Sequence, residues 1–331
     1  MRRRAGNADA RTGVRTAGTG ARLRIRHPKA SVRLPRNDEA ATKMRSTERR
    51  ERLRALLAGR RCIHPGSVFD PISARIAEDL GFEAGMFAGS VASMVVLGAP
   101  DLIVLTLTEF AEQAHRICRA GNLPLLVDAD HGYGNALNVK RTVEELETAG
   151  VAALTIEDTA LPQAFGAADE TRLISVEEGV GKMRAAIAGR RDSSLVIAGR
   201  TSAMSATGLD DAIARAKAYE AAGVDAIFLI GVRTRDQLEA VSAALNVPIF
   251  LGGAGPEVMD LDYLGGQGVR ICLQGHQPFR AAVRAIHDTL KALRGGTPPG
   301  EIENVASGED MKAFTRDGDY RRWMKDFLGG A

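Results

Sequence analysis

Two aspartates separated by one residue, Asp128 and Asp130, followed by His131-Gly132-Tyr133-Gly134, form the densest chemical signal in the sequence. Alternate residues of an extended strand face the same side, so both carboxylates can converge on one point. Two negative charges held together repel, and proton affinity rises unless a cation neutralises them. Oxygen ligands of this kind suit Mg²⁺, with Mn²⁺ as the alternative, both of which keep several waters. Either aspartate alone also reads as an Asx cap at a strand end. A second acidic pair, Glu157-Asp158, favours the metal reading for the group.

Three further side chains carry suitable chemistry. The planar fork of Arg200 can hold a substrate carboxylate through two hydrogen bonds, or form an ion pair across the acidic mouth. Ser90, in the small-residue turn Ala88-Gly89-Ser90-Val91, can donate to the same anion or cap a helix. His276, after Gly275, can orient a carboxylate or ketone oxygen, move a proton, or serve only as a structural histidine. Cys272 has apolar neighbours, Ile271 and Leu273, and reads as core rather than nucleophile.

These residues need elements that bring them together. Short apolar runs recur at Cys62–His64, Ala84–Ala88, Leu123–Val127, Ala152–Ile156, Leu195–Ala198, Ala226–Ile230, Pro248–Leu251 and Val269–Leu273. Helical patterns lie between them, and a helix over Glu48–Leu57 precedes them all. Strands alternating with helices indicate parallel β/α units. A weak repeat supports this: Leu80-Gly81-Phe82, Ala149-Gly150-Val151 and Ala222-Gly223-Val224 each place a glycine able to adopt positive φ between a helix end and a strand. Eight such units predict an α/β fold, a (β/α)8 TIM-type barrel with its chemistry at the carboxyl ends of the strands. An open doubly wound sheet is the alternative. Its G-x-G-x-x-G signal is missing, and Gly252-Gly253-Ala254-Gly255 comes too late in the chain.

Charge divides the chain. The net charge of +3 over 331 residues averages a +9 segment, residues 1–43, with a remainder of −6. The basic segment is expected to be a disordered extension, with Met44 as the natural start; a nucleic-acid or surface-binding role is the competing reading. Residues 44–294 are expected to form the catalytic barrel and 295–331 a C-terminal extension, in which Tyr320–Phe327 forms a short helix packing Trp323 on the barrel or on a neighbouring subunit. Three scattered cysteines indicate neither a disulfide framework nor a Cys-rich zinc site, and point to a reducing, cytoplasmic setting. The apolar region Ala84–Leu107 is too interrupted to span a membrane. Nucleic acid and membrane are not expected partners.

Asp128-Ala-Asp-His-Gly-Tyr-Gly, with Phe87-Ala-Gly-Ser before it and Ile156-Glu-Asp after it, resembles the isocitrate lyase/phosphoenolpyruvate mutase superfamily. Leu154-Thr-Ile-Glu-Asp-Thr, Leu173-Ile-Ser-Val-Glu-Glu-Gly-Val-Gly-Lys and Gly275-His276 are most similar to its oxaloacetate decarboxylase family. The resemblance implies Asp128 as a Mg²⁺ ligand, Asp130 approaching the metal through water, and Glu157 and Asp101 in the outer metal network. It implies Ser90, Arg200 and His276 as substrate-binding residues, with Asp128, Arg200 and His276 catalytic. It also implies a homo-oligomer, dimer or tetramer, with an exchanged C-terminal helix. The expected reaction is decarboxylation of oxaloacetate, a small 2-oxo dicarboxylate, to pyruvate and CO₂. The alternative is a carbon–carbon lyase or hydrolase acting on a related substituted malate or 2-oxo diacid. The region Thr159–Asp169 has no cysteine or lysine, where lyases of the superfamily carry a proton-donating cysteine loop. A purely structural barrel is the non-enzymatic alternative.

Overall fold

In the computed structural model, the described residues are 45–166 and 170–329; the basic segment 1–43 lies outside them. Eight parallel strands stand in sequential order: β1 (Gly66–Ser67), β2 (Gly85–Ala88), β3 (Leu125–Asp128), β4 (Ala153–Glu157), β5 (Val196–Thr201), β6 (Ala226–Ile230), β7 (Ile249–Gly252) and β8 (Val269–Cys272). The helices are α1 (Ser46–Ala58), α2 (Pro71–Asp79), α3 (Gly89–Ala92), α4 (Leu107–Cys118), α5 (Ala136–Ala149), α6 (Val176–Gly189), α7 (Ala203–Ala206), α8 (Leu209–Ala221), α9 (Arg235–Ala244), α10 (Leu261–Gly266), α11 (Gln277–Arg294), α12 (Gly308–Thr315) and α13 (Asp317–Leu328). The repeat glycines behave as their spacing requires. Gly81, Gly150 and Gly223 have φ of 85°, 93° and 100°, turning the chain from helix to strand.

The first strand corrects the expectation from sequence. Cys62–His64 is not β1. Only Ile63 of that run pairs, bridging in parallel to Ile271, with Ile63 N donating to Arg270 O and Cys272 N to Ile63 O, both at 2.9 Å. Three residues after Ile63, Gly66 and Ser67 turn to pair with Gly85 and Met86 of β2. The first segment is thus split between its two neighbours, and this closes β8 onto β1. Its apolar content marks burial; the Pro65-Gly66 step decides where pairing resumes.

Strand alternation sorts the core into two layers. Outward residues such as Phe87, Leu125, Val127, Leu154 and Ile197 pack beneath the helices, where Phe87 stacks on Phe110 of α4 at 5.1 Å. Inward residues Met86, Leu126, Ala153, Val196, Ala226, Phe250 and Ile271 fill the barrel, joined by Leu53 and Leu57 of α1, which plugs its amino-terminal end. Ion pairs hold this plug. Arg50 donates to Val151 O at 2.9 Å, Glu147 O at 2.6 Å and Asp192 Oδ2 at 2.7 Å, while Arg54 meets Asp225 at 2.9 Å.

After α11, the helices α12 and α13 run along the outside. Arg316 binds Asp79 of α2 through both amino groups at 2.7 and 2.8 Å, and Arg75 Nη1 donates to Phe314 O at 3.2 Å. Trp323 packs edge-on against Tyr320 at 5.1 Å and stays 42% exposed.

Arg50 is buried at the end of the barrel away from the strand carboxyl termini, and its loss removes the charge partner of Asp192 and a donor to the Val151 and Glu147 carbonyls. Arg50→Ala is expected to lower stability by about 3 kcal/mol, measured by urea unfolding, with KM for substrate unchanged.

Candidate active site

The strand period that fills the barrel with apolar side chains also places charge at its mouth. Leu126 faces inward on β3, so Asp128 does too; Ala153 and Thr155 bring Glu157 inward on β4; Val196 and Ala198 bring Arg200 inward on β5. Register sets the neighbours. Asp128 lies opposite Thr155, and Glu157 opposite Arg200. Arg200 pairs with both carboxylates, directly with Asp128 Oδ2 and at 3.0 Å with Glu157 Oε2, and stands over the Phe228 ring at 5.5 Å. Its Nε is buried and has no partner among the described residues. Thr155 Oγ1 donates to the other Asp128 oxygen at 2.8 Å.

Asp130 follows on a turn of unusual backbone. Asp130, Gly132, Tyr133 and Gly134 all have positive φ, 48°, 80°, 61° and 145°. Lys182 Nζ from α6 and Thr142 Oγ1 from α5 donate to the carbonyls of His131 and Gly132, at 2.9 and 3.0 Å. The Asp130 carboxylate fills the space above Gly89. A Cβ there would lie 2.3 Å from Asp130 Oδ2, so only glycine admits this side chain. The Asx reading has a counterpart as well, since Asp130 N donates to Asp128 Oδ1 at 3.3 Å.

These residues surround a cavity of about 620 Å³ lined by Ser90, Asp101, Asp128, Asp130, Glu157, Arg200 and His276, and walled by Phe228, Leu102, Ile103 and the segment after β4. All seven residues expected from sequence therefore share one cavity. Ser90 lies in the first turn of α3 rather than capping it. Asp101 sits on an exposed loop beside Ile103, whose φ of 57° is unusual for a β-branched residue. His276 precedes α11, its Nδ1 2.9 Å from Ser67 Oγ. Asp158 turns away and is held by Tyr219 at 2.7 Å and Arg215 at 3.1 Å, a structural role.

Sequence reasoning missed Thr155, Lys182, Phe228 and Ser67. Thr155 and Phe228 were recoverable, because each is inward-facing by the two-residue period of its strand. Lys182 reaches the site from a helix, and Ser67 was hidden by the misplaced first strand.

Electrostatics show what the mouth needs. Burial, then repulsion from Asp128, Glu157 and Asp101, pushes Asp130 well above the usual carboxylate range. Burial also pushes Glu157 up to about 7, with Asp128 and Asp158 adding to it against the pull of Arg200. Partial desolvation at the edge of the cavity, then Asp128, raises Asp101 although its loop is exposed. Arg200 stays protonated: burial opposes its charge, but Asp128 and Glu157 hold it above the ordinary value. Four carboxylates thus face one guanidinium. A carboxylate-rich mouth with excess negative charge fits a hard divalent cation. Among the described residues no three acidic, imidazole or thiol groups form a ready cage, yet such a cation needs only one or two carboxylates and keeps waters elsewhere.

A closed parallel barrel with an acidic mouth at its strand ends, a guanidinium and a small polar cavity defines a barrel enzyme for a small anionic substrate. Residues 53–294 match the phosphoenolpyruvate phosphomutase family, and the chain belongs to it, within the isocitrate lyase/phosphoenolpyruvate mutase superfamily. It is similar to proteins named oxaloacetate decarboxylase: one of Bradyrhizobium diazoefficiens is 62% identical over 85% of this chain and 97% of that protein. A second, of Rhodopseudomonas palustris strain BisB18, is 60% identical with the same coverage. Among solved structures, oxaloacetate acetylhydrolase with the inhibitor 3,3-difluorooxalacetate superposes with a TM-score of 0.75 at 29% identity, over 86% of this chain and 98% of that one. A phosphonopyruvate hydrolase complex with oxalate and Mg²⁺ gives 0.74 at 29% identity, over 86% and 100%.

The raised carboxylates set a pH dependence. A group whose folded pKa exceeds its unfolded value contributes most below the unfolded pKa and loses that contribution as pH rises through the folded one. For Glu157 the window runs from the ordinary 4.5 up to about 7. Chelated protein is expected to lose thermal stability across this window. Added Mg²⁺ should raise Tm more at pH 7.5 than at pH 5; an equal rise at both values would contradict the electrostatic reading.

Proposed function

We propose that this protein is an oxaloacetate decarboxylase, converting oxaloacetate to pyruvate and CO₂ with Mg²⁺, or Mn²⁺, in its acidic mouth. The observation that carries the reading is the convergence of Asp128, Glu157 and Arg200 beside Ser90 and His276 in one cavity. The names of the similar proteins support the same substrate.

Asp128 would ligate the cation, Asp130 reach it through water, and Glu157 and Asp101 stand in the outer network. Bound there, the cation supplies positive charge that withdraws electrons from a 2-oxo acid. Arg200 would bind the C1 carboxylate with donors not spent on Asp128 and Glu157. Ser90 supports that end of the substrate. His276 donates to the ketone or the departing carboxylate, holding the C3–C4 bond in an orientation that favours cleavage. As that bond breaks, CO₂ leaves and its electron pair passes to the enolate of pyruvate, which takes a proton at C3. The departing CO₂ needs no proton and the enolate can take its proton from solvent, which accords with a Thr159–Asp169 segment free of cysteine and lysine.

The second reading, a lyase or hydrolase of a related 2-oxo diacid, rests on the acetylhydrolase-like structure. Incubation with a panel of 2-oxo and 2-hydroxy diacids, followed by NMR, separates the two. Pyruvate and CO₂ from oxaloacetate alone are expected, and any other product pair refutes simple decarboxylation. Exhaustive chelation should abolish turnover, with Mg²⁺ or Mn²⁺ restoring it. Arg200→Gln should cost about 10²–10³ in kcat/KM.

We also propose a homo-oligomer, dimer or tetramer, in which α11 is exchanged. None of its residues is buried, and Val283, Ile286, Leu290 and Leu293 form an apolar stripe 40–61% exposed. Ile286→Glu with Leu290→Glu should yield a smaller species in sedimentation velocity. The cytoplasmic assignment rests on three buried free thiols; among the described residues no helix is long and apolar enough to cross a membrane. The basic extension 1–43, the barrel 44–294 and the extension 295–331 remain the proposed divisions.

A further inference from the structure

His276 presents two ring nitrogens, and only one can face the substrate. Its Nδ1 lies 2.9 Å from the Ser67 hydroxyl at the end of β1, while the ring lines the cavity. Nε2 is therefore the nitrogen left for the ligand. We propose that Ser67 is the positioning residue for His276: its hydroxyl donates to Nδ1, stabilises the tautomer protonated on Nε2 that the acceptor-rich cavity demands, and aims that N–H at the 2-oxo acid.

The cavity calls for a donor at this point. Asp101, Asp128, Asp130 and Glu157 line it, and an anionic substrate adds further acceptor oxygens. Burial lowers the His276 pKa even though Asp128 and Asp101 favour its charged form, and a neutral ring carries one N–H. With the proton on Nδ1, Nε2 would turn a lone pair on the substrate oxygens. A hydroxyl serves either tautomer, so Ser67 complements whichever the cavity demands. In this acceptor-rich mouth it donates.

His64 shows the contrast. Its Nδ1 lies 2.7 Å from the Cys272 carbonyl, an acceptor only, which requires the proton on Nδ1. That bond, the Ile63 pairing to β8 and the Phe69–Phe279 edge contact at 5.3 Å already tie the β1 and β8 ends together. The Ser67 hydroxyl is not needed to hold that seam. Its distinctive contribution is direction at one ring nitrogen.

This inference rests on the substrate role proposed for His276, and the test separates the two. Wild type, Ser67→Ala, Ser67→Thr and His276→Ala are assayed with oxaloacetate and Mg²⁺, and His276 is read by ¹⁵N NMR in histidine-labelled protein. Ser67→Ala is expected to lose about 10-fold or more in kcat/KM and to show mixed ring protonation, with Ser67→Thr recovering most of both. A wild-type ring protonated on Nδ1 overturns the inference. So does a Ser67→Ala enzyme of lower Tm but unchanged kcat/KM. If His276→Ala is impaired while Ser67→Ala is not, the inference fails alone; if His276→Ala turns over normally, the substrate role of His276 falls with it.

Discussion

Arg200 between Asp128 and Glu157 is the interaction around which the mouth of this barrel is organised. Taking three charged groups out of water costs several kcal/mol per ion before mutual attraction repays it. Repayment depends on geometry, and geometry comes from three adjacent parallel strands whose register sets the carboxylates beside the guanidinium. Thr155 takes up a further Asp128 oxygen, and the Phe228 ring supports the guanidinium. One positive charge does not balance the group. Burial, reinforced by the excess negative charge, pushes protons toward Asp130 and Glu157, and the mouth is left receptive to a cation and its anionic ligand together.

The same constraint explains the unusual backbone nearby. Asp130 must reach the cluster from beyond the end of β3, so the chain takes positive φ at four of five residues from Asp130 to Gly134. Lys182 and Thr142 grip the carbonyls of that turn from outside the barrel, and Gly89 clears the space from the neighbouring strand. Strain at a site persists where surrounding contacts over-determine it. Here α5, α6 and the β2 end each supply one such contact. Two strands away, β1 is two residues long, and the seam with β8 relies on one backbone bridge reinforced by side chains. His276 stands at that seam, so its orientation depends on how β1 ends.

Much of this was legible in the sequence because it is carried by local rules. Periods of two and of 3.6 residues give parallel β/α units, and a glycine between helix end and strand start marks each turn. Asp128, Asp130, Glu157, Arg200 and His276 follow apolar runs, and residues at the carboxyl ends of barrel strands face one mouth. Where the local rules were weak, the reading slipped. Cys62–His64 has the composition of a strand but pairs through Ile63 alone, since β1 had to serve two neighbours and the chain turns at Pro65-Gly66.

What the sequence determined by itself was the alternation of elements and the types of chemistry available, because periodicity, turn residues and side-chain ionisation are properties of short segments. Tertiary structure alone decided that Arg200 spends part of its fork on Asp128 and Glu157, that Asp130 fits over Gly89, and that Ser67 meets His276 across 209 positions of chain. Those facts depend on strand register and on the closure of β8 onto β1. Both are long-range pairings, and no local window of residues encodes a distance between segments that meet only when the barrel closes.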